Sequence, residues 1–174
     1  MAETRGKRLY IDYHKCIGCE SCETICKFLY GDPRIRMTRT DDGLMFPLYC
    51  HHCPKPQCVK ACPAKAIVKE PAGPVIHNPK ICRETGAMKC IQACPFLAIA
   101  PTGREVPVVK CDLCAGRRAK GLLPACVEIC PCGAISYVDA GDVKDLRTEE
   151  SRAARSRVME HIKELKKHGA GNVK

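Results

Sequence analysis

The residues that can do chemistry in this chain of 174 residues are its 16 cysteines. Fifteen of them fall into four groups, and each group ends in two cysteines that three residues separate. The groups are Cys16, Cys19, Cys22 and Cys26; Cys50, Cys53, Cys58 and Cys62; Cys82, Cys90 and Cys94; and Cys111, Cys114, Cys126 and Cys130. Thiolates are soft metal ligands, and cysteines of a reducing compartment seldom form structural disulfides. The grouping therefore predicts metal binding.

The first group has the spacing C-x2-C-x2-C-x3-C, which is typical of bacterial ferredoxins. In that arrangement three neighbouring thiolates hold one iron–sulfur cluster, and the fourth reaches a second cluster. Gly18 suits a loop whose backbone N–H groups approach cluster sulfurs closely. Lys27, where the motif has proline, is a departure from the pattern.

One thiol is missing from the third group, and one is spare. The spacing of this group matches that of the second group, but Thr85 stands at the place of Cys53. Cys132 lies two residues beyond the last regular cysteine, Cys130. Cys132 is then a free thiol, a replacement ligand for the incomplete site, or a residue beside another cluster.

An internal repeat, C-P-x-x-A-I, follows the last cysteine of three groups, at Cys62, Cys94 and Cys130. A small and then an aliphatic residue after a turn suits a short strand beneath a cluster. The repeat predicts an α+β, duplicated bacterial-ferredoxin-like fold with sparse regular structure, short β-hairpins and a C-terminal helix. The expected units are residues 1–44 with 100–144, an inserted unit of residues 45–99, and a helical extension of residues 145–174.

Other classes of protein also use closely spaced cysteines. Zinc ribbons take two C-x2-C pairs per ion, whereas here triplets are followed by a remote fourth cysteine and usually by proline. A disulfide scaffold would need an export signal, and residues 1–10 have no apolar segment of that kind. A redox sensor would need an output domain. Iron–sulfur binding in the cytoplasm is the preferred interpretation.

Polar residues within the cysteine loops allow two interpretations. His51 and His52 either pack and hydrogen-bond near a cluster or act as ligands or proton carriers, and the first is favoured because thiolates already complete that site. Arg117, Arg118 and Lys120 either form a solvated face or tune and dock near the clusters.

Short elements must position these loops. The alternation in residues 35–39, a turn at residues 41–43 and residues 44–46 predict a hairpin. Further strands are expected at residues 9–11, 67–69, 75–77, 106–109 and 135–138, with a one-turn helix carrying each C-x3-C. Thr148 begins a helix that is expected to stop near Gly169 and has one apolar stripe. This helix either folds back on the body or clasps a partner or a second copy of the chain.

The order of the groups, with C-x-H-C-x-x-P-x-C in the second and C-x2-C-x11-C-x3-C-P in the fourth, resembles the four-cluster electron-transfer subunits of molybdenum and tungsten oxidoreductases. The dimethyl sulfoxide reductase type belongs to this family, as do small polyferredoxins of tungsten aldehyde oxidoreductases. The resemblance implies that the first and fourth groups share two clusters. It also implies that the second and third groups share two more.

Carried over by position, the resemblance implies four ligand sets. They are Cys16, Cys19, Cys22 and Cys130; Cys26, Cys111, Cys114 and Cys126; Cys50, Cys53, Cys58 and Cys94; and Cys62, Cys82 and Cys90. The last set holds a [3Fe-4S] cluster, a [4Fe-4S] cluster with a borrowed ligand such as Cys132, or a cubane with a non-cysteine ligand. At least three clusters are expected to be [4Fe-4S].

The expected function is that of a non-catalytic subunit that relays single electrons, since the sequence lacks a catalytic dyad, a P-loop or a dinucleotide fingerprint. The expected catalytic partner is a molybdenum or tungsten enzyme, with an aldehyde oxidoreductase first. Carbon monoxide dehydrogenase, formate dehydrogenase and hydrogenase are alternatives. The second partner would be an electron acceptor or donor such as a flavoprotein, and self-association is a further alternative.

The net charge of +10 suggests at first sight an acidic partner, which could be nucleic acid, an anionic membrane surface or an acidic protein. An oxidised cubane with four thiolates carries a charge of about −2, so four clusters contribute roughly −8. The loaded protein would then be nearly neutral. Neither nucleic acid binding nor membrane insertion is expected.

Overall fold

The computed structural model describes residues 6–71, 73–85, 88–102 and 106–168, without the side chains of residues 84 and 85. Short helices and short antiparallel strand pairs make the protein α+β, as expected. The strands are β1 (Lys7–Ile11), β2 (Arg36–Arg39), β3 (Met45–Leu48), β4 (Ile67–Lys69), β5 (Val75–His77), β6 (Ile99–Pro101), β7 (Val108–Lys110) and β8 (Ile135–Asp139). The helices are α1 (Ser21–Tyr30), α2 (Gln57–Lys60), α3 (Pro79–Thr85), α4 (Lys89–Ala93), α5 (Ala115–Arg118), α6 (Ala125–Glu128) and α7 (Glu149–Lys167), with a 3-10 turn at Asp142–Lys144.

The described strands form four two-stranded antiparallel ribbons, β1–β8, β2–β3, β4–β5 and β6–β7. In the first ribbon, Leu9 lies opposite Tyr137 and Ile11 lies opposite Ile135. This long-range pairing brings the beginning of the chain to the segment that follows the fourth cysteine group. The ribbon β2–β3 is the predicted hairpin, and β3 continues beyond the expected end at Phe46 as far as Leu48.

The predicted one-turn helices are found in three of the four groups. Cys58, Cys90 and Cys126 lie on α2, α4 and α6, which have four or five residues each. The prediction is wrong for the first group, where α1 has ten residues. Lys27 accounts for the difference, because a proline at this position would remove a backbone donor and end the helix.

Two cores of buried side chains support the cysteine loops. The first core includes Leu9, Phe46 and Leu113 together with cysteines of the first and fourth groups. The second core includes Ile67, Val108 and cysteines of the second and third groups. Phe46 of the predicted inserted unit thus packs in the first core. Val108, which belongs to the predicted unit of residues 1–44 with 100–144, packs in the second core. The duplicated fold and the unit boundaries stay predictions.

Helix α7 folds back on the body of the protein, which confirms the first of the two interpretations of this segment. Thr148 caps the helix by accepting a hydrogen bond from the backbone N–H of Ser151 at 3.2 Å. Val158 and Ile162 are buried in the first core. The expected stop near Gly169 lies outside the described residues. Each helix in the described part of the chain is too short or too polar to cross a lipid bilayer.

Candidate iron–sulfur sites

The structure brings fifteen of the sixteen thiols into four sets that we call sites I to IV. Site I contains Cys16, Cys19, Cys22 and Cys130, which line one cleft with the spare Cys132. Burial, followed by the charges of neighbouring thiolates, raises the pKa of Cys22 to about 12. Thiols this close repel one another when ionised, and a bound cation removes the repulsion.

Site II joins the first group to the fourth. Cys26, Cys111, Cys114 and Cys126 line one cavity together with apolar side chains of the first core. Burial raises the pKa of Cys126, and the thiolates of Cys111, Cys114 and Cys26 raise it further. Cys26 comes from α1, about one turn of helix from Cys22 of site I. One helix therefore serves both sites.

Site III is built from the second group and the last cysteine of the third. Burial raises the pKa of Cys58 to about 11, and the thiolates of Cys50, Cys94 and Cys53 contribute to the rise. Cys94 belongs to the third group in the sequence. Its position directly after α4 places its thiol beside the thiols of the second group.

Site IV contains the three remaining thiols. Burial, followed by the charges of Cys82 and Cys62, raises the pKa of Cys90 to about 11. Thr85, at the position of the missing thiol, is the last residue of α3, and its side chain lies outside the described part of the structure. Cys132 belongs to the surroundings of site I, so the structure does not bring it to this incomplete site.

The sites follow one another in a row. Thiolates of adjacent sites raise the pKa of one another's thiols. The charge of Cys22 acts on Cys126, that of Cys50 acts on Cys111, and that of Cys58 acts on Cys90. These pairs connect site I to site II, site II to site III and site III to site IV. The order I–II–III–IV results.

Left-handed backbone shapes the loops that carry the thiols. Gly18, His52 and Leu113 precede the second cysteine of the three C-x2-C loops, and their φ angles are 69°, 46° and 58°. The C-P-x-x-A repeat behaves in the same way, because Lys65, Leu97 and Gly133 all have positive φ. A Cβ atom on Gly18 would lie 2.6 Å from the Cβ of Met45, so the hairpin as well as the turn requires glycine there.

Backbone N–H groups point to several of the sulfurs. Arg34 donates to Cys26 at 3.2 Å, Ala66 donates to Cys62 at 3.2 Å, and Ala98 donates to Cys94 at 3.4 Å. Hydrogen bonds of this kind stabilise a thiolate and tune the potential of a cluster.

Both loop histidines have structural contacts, as the favoured interpretation predicts. His51 is stacked between Tyr49 and Phe96, with ring centroids 4.3 and 3.7 Å apart. The backbone N–H of Val75 donates to Nδ1 of His52 at 3.0 Å, so Nε2 of the neutral ring carries the proton. This Nε2 is buried without a hydrogen-bond partner among the described residues.

Lys110 places a positive charge between sites II and III. Its side chain is 3 % exposed, and the ammonium donates to the carbonyl oxygens of Val75 and, at 2.8 Å, Cys111. The Lys110 charge opposes the rise that burial causes in the pKa values of Cys53, Cys58 and Cys111. Lys110 was not among the site residues predicted from the sequence, where its position directly before Cys111 is the one available signal.

The donor set suits iron–sulfur clusters. Four groups of clustered thiols, backbone N–H groups aimed at sulfur, a buried imidazole donor and a buried ammonium together accommodate sulfur-rich anionic groups. Bound clusters would accept and donate single electrons.

A family model described as "4Fe-4S dicluster domain" matches residues 42–140. The chain belongs to the 4Fe-4S dicluster domain family. It is an iron–sulfur electron-transfer protein, and the prediction of [4Fe-4S] clusters is confirmed. The matched region includes the second, third and fourth cysteine groups.

Several relatives align over most of this chain. The probable anaerobic dimethyl sulfoxide reductase chain YnfG of Escherichia coli K12 is 32 % identical over 83 % of this chain and 78 % of its own length. A tetrathionate reductase subunit of Salmonella typhimurium is 34 % identical over 79 % of this chain and 58 % of its own length. The formate dehydrogenase-O iron-sulfur subunit of E. coli K12 is 31 % identical over 84 % of this chain and 58 % of its own length. The chain spans about half of the length (48 %) of a relative from Nitratidesulfovibrio vulgaris.

Proposed function

We propose that this protein is a non-catalytic subunit that carries single electrons between a catalytic oxidoreductase subunit and a second redox partner. The observation that carries the proposal is the row of four thiol sites, in which each site adjoins the next. Cys16, Cys19, Cys22 and Cys130 hold the first cluster, and the sets of sites II, III and IV hold the others. A row of electron carriers needs contacts at its two ends and no substrate pocket.

Exposed apolar side chains at both ends support docking there. Ile17, next to Cys16 of site I, is 67 % exposed. Ile81 and Met88, close in sequence to Cys82 and Cys90 of site IV, are 37 % and 47 % exposed. We assign one end to the catalytic subunit and the other to an electron acceptor or donor such as a flavoprotein.

The catalytic partner is a molybdenum or tungsten enzyme. Relatives named as chains or subunits of dimethyl sulfoxide reductase, tetrathionate reductase and formate dehydrogenase support this class. A tungsten aldehyde oxidoreductase is the first partner to test, and formate dehydrogenase, carbon monoxide dehydrogenase and hydrogenase are the alternatives. All described cysteines are free thiols, which agrees with a cytoplasmic location.

Purification of the native complex tests the proposal. We expect a larger subunit with tungsten to co-purify anaerobically, and we expect an aldehyde to bleach the visible absorbance of the clusters. Bleaching by formate, carbon monoxide or hydrogen instead would select one of the alternative partners. Bleaching by dithionite alone, without a co-purifying catalytic subunit, would contradict the relay function.

A further inference from the structure

Five thiols line the cleft of site I. The Sγ atoms of Cys130 and Cys132 are 3.7 Å apart, and Cys132 lines the same cleft as Cys16, Cys19 and Cys22. Its charge also acts on Cys16. A cubane offers four iron corners to protein ligands, so one of the five sulfurs is surplus.

The repeated C-P-x-x-A turn contains an additional thiol, that of Cys132, in its third copy. At sites IV and III, the alanine N–H donates to the sulfur of the cysteine four residues earlier, from Ala66 to Cys62 and from Ala98 to Cys94. In the third copy of the turn, the sulfur of Cys132 lies 3.7 Å from that of Cys130 and lines one cleft with Ile17 and Ala134. Cys132 therefore places a second thiol in a turn that has one thiol in each of the other two copies.

We propose that Cys132 is a reserve ligand of the cluster at site I and takes the place of Cys130 when that sulfur is absent. This inference rests on the proposed ligand set. Cys132 would give its proton to solvent, and its thiolate would form the iron–sulfur bond that Cys130 does not make. No electron is transferred in this step.

Four variants test the proposal: C130A, C132A, the double variant C130A/C132A, and C126A as the matched control. Cys126 is a ligand of site II from the same cysteine group, and no spare thiol lines that cavity among the described residues. Iron and sulfide are measured per chain in anaerobically purified protein. We expect C130A and C132A to keep the full content, and we expect the double variant and C126A to lose roughly four irons each.

Alkylation supplies a second readout. Iodoacetamide is expected to label Cys132 in native wild-type protein and to leave it unlabelled in C130A, where the iron holds its sulfur. Equal iron loss in C130A and the double variant would overturn the proposal, as would labelling of Cys132 in C130A. Full iron content in C126A would contradict the proposed ligand set instead.

If the variants fold poorly, their soluble yield tests whether Cys132 is a reserve ligand. The proposal makes C130A the milder change, so C130A is expected to accumulate in extracts like wild type while C126A and the double variant are depleted. Depletion of C130A to the level of the double variant would overturn the proposal.

Discussion

Single residues determine how closely the thiols approach one another. Gly18, His52 and Leu113 hold the same left-handed conformation at the same place in three loops, although only one of them is glycine. A non-glycine residue in this region costs about 1–2 kcal/mol, so the rest of the structure must enforce it. For His52, the hydrogen bond from Val75 supplies part of that enforcement.

Gly18 is expected to be sensitive to substitution for two reasons. Its φ is 69°, and the Cβ of alanine would lie 2.6 Å from the Cβ of Met45. Gly43 is a matched control, because its φ is 89° and an added Cβ would meet no atom within 4 Å. Both changes should cost about 1–2 kcal/mol through the backbone. We expect only G18A to shorten the half-life of cluster absorbance markedly, and equal half-lives would contradict the steric account.

Thr85 makes site IV the one set with three thiols. Three thiolates suit a [3Fe-4S] cluster, so oxidised wild-type protein is expected to show the near-isotropic EPR signal of that species. In T85C the signal should disappear, and the iron content should rise by about one atom per chain. T85S, which adds no thiol, is the control. A wild type without the signal would indicate a cubane with a ligand other than cysteine.

Lys110 is expected to raise the reduction potentials of the clusters at sites II and III. Reduction adds negative charge, and a buried ammonium nearby favours the reduced state. In K110M the potentials should become more negative by several tens of millivolts, while K110R, which keeps the charge, should stay close to wild type. EPR-monitored redox titration measures both. Equal shifts in the two variants would mean that packing, not charge, is responsible.

At the scale of elements, α7 ties the two halves of the site row together. Its apolar side contacts the first core through Val158 and Ile162. Near its end, Lys166 donates to the carbonyl oxygens of Gln92 and Cys94 at 3.1 and 2.9 Å, close to site III. Arg157 forms an ion pair with Asp42 of the hairpin turn. The helix is part of the body and not a free arm.

Shortening a buried side chain of α7 should therefore loosen the first core. Ile162 is 2 % exposed, and I162A should cost about 2–5 kcal/mol. Because unfolding of a cluster protein is seldom two-state, the measurement is the rate at which cluster absorbance is lost in guanidinium chloride. K163A, one residue away on the exposed face, should leave that rate unchanged. Wild-type kinetics in I162A would show that the helix contributes little to stability.

Local chemistry could be predicted from the sequence, whereas contacts between distant segments could not. Cysteine spacing alone indicated iron–sulfur clusters, and an alternating pattern indicated the hairpin. The C-P-x-x-A-I repeat indicated the short strands that begin at Ile67, Ile99 and Ile135, although no bounds were predicted for β6. The clash of Gly18 with Met45 and the bond from Val75 to His52 connect segments more than twenty residues apart, so no local pattern reveals them.

The whole molecule combines a strongly basic chain with a row of anionic cofactors. Its net charge of +10 is largely offset when four clusters of about −2 each are bound. The cores are small, so metal binding and folding are expected to be coupled. The basic side chains would offset most of the negative charge of the bound clusters.

If one chain holds four electron carriers, the number of electrons that it takes up must equal the number of sites. Coulometric reduction of the anaerobically purified protein gives the number of electrons taken up per chain. We expect about four electrons, one for each site. An uptake of about two electrons, as for a protein with only two clusters, would rule out the four-site relay.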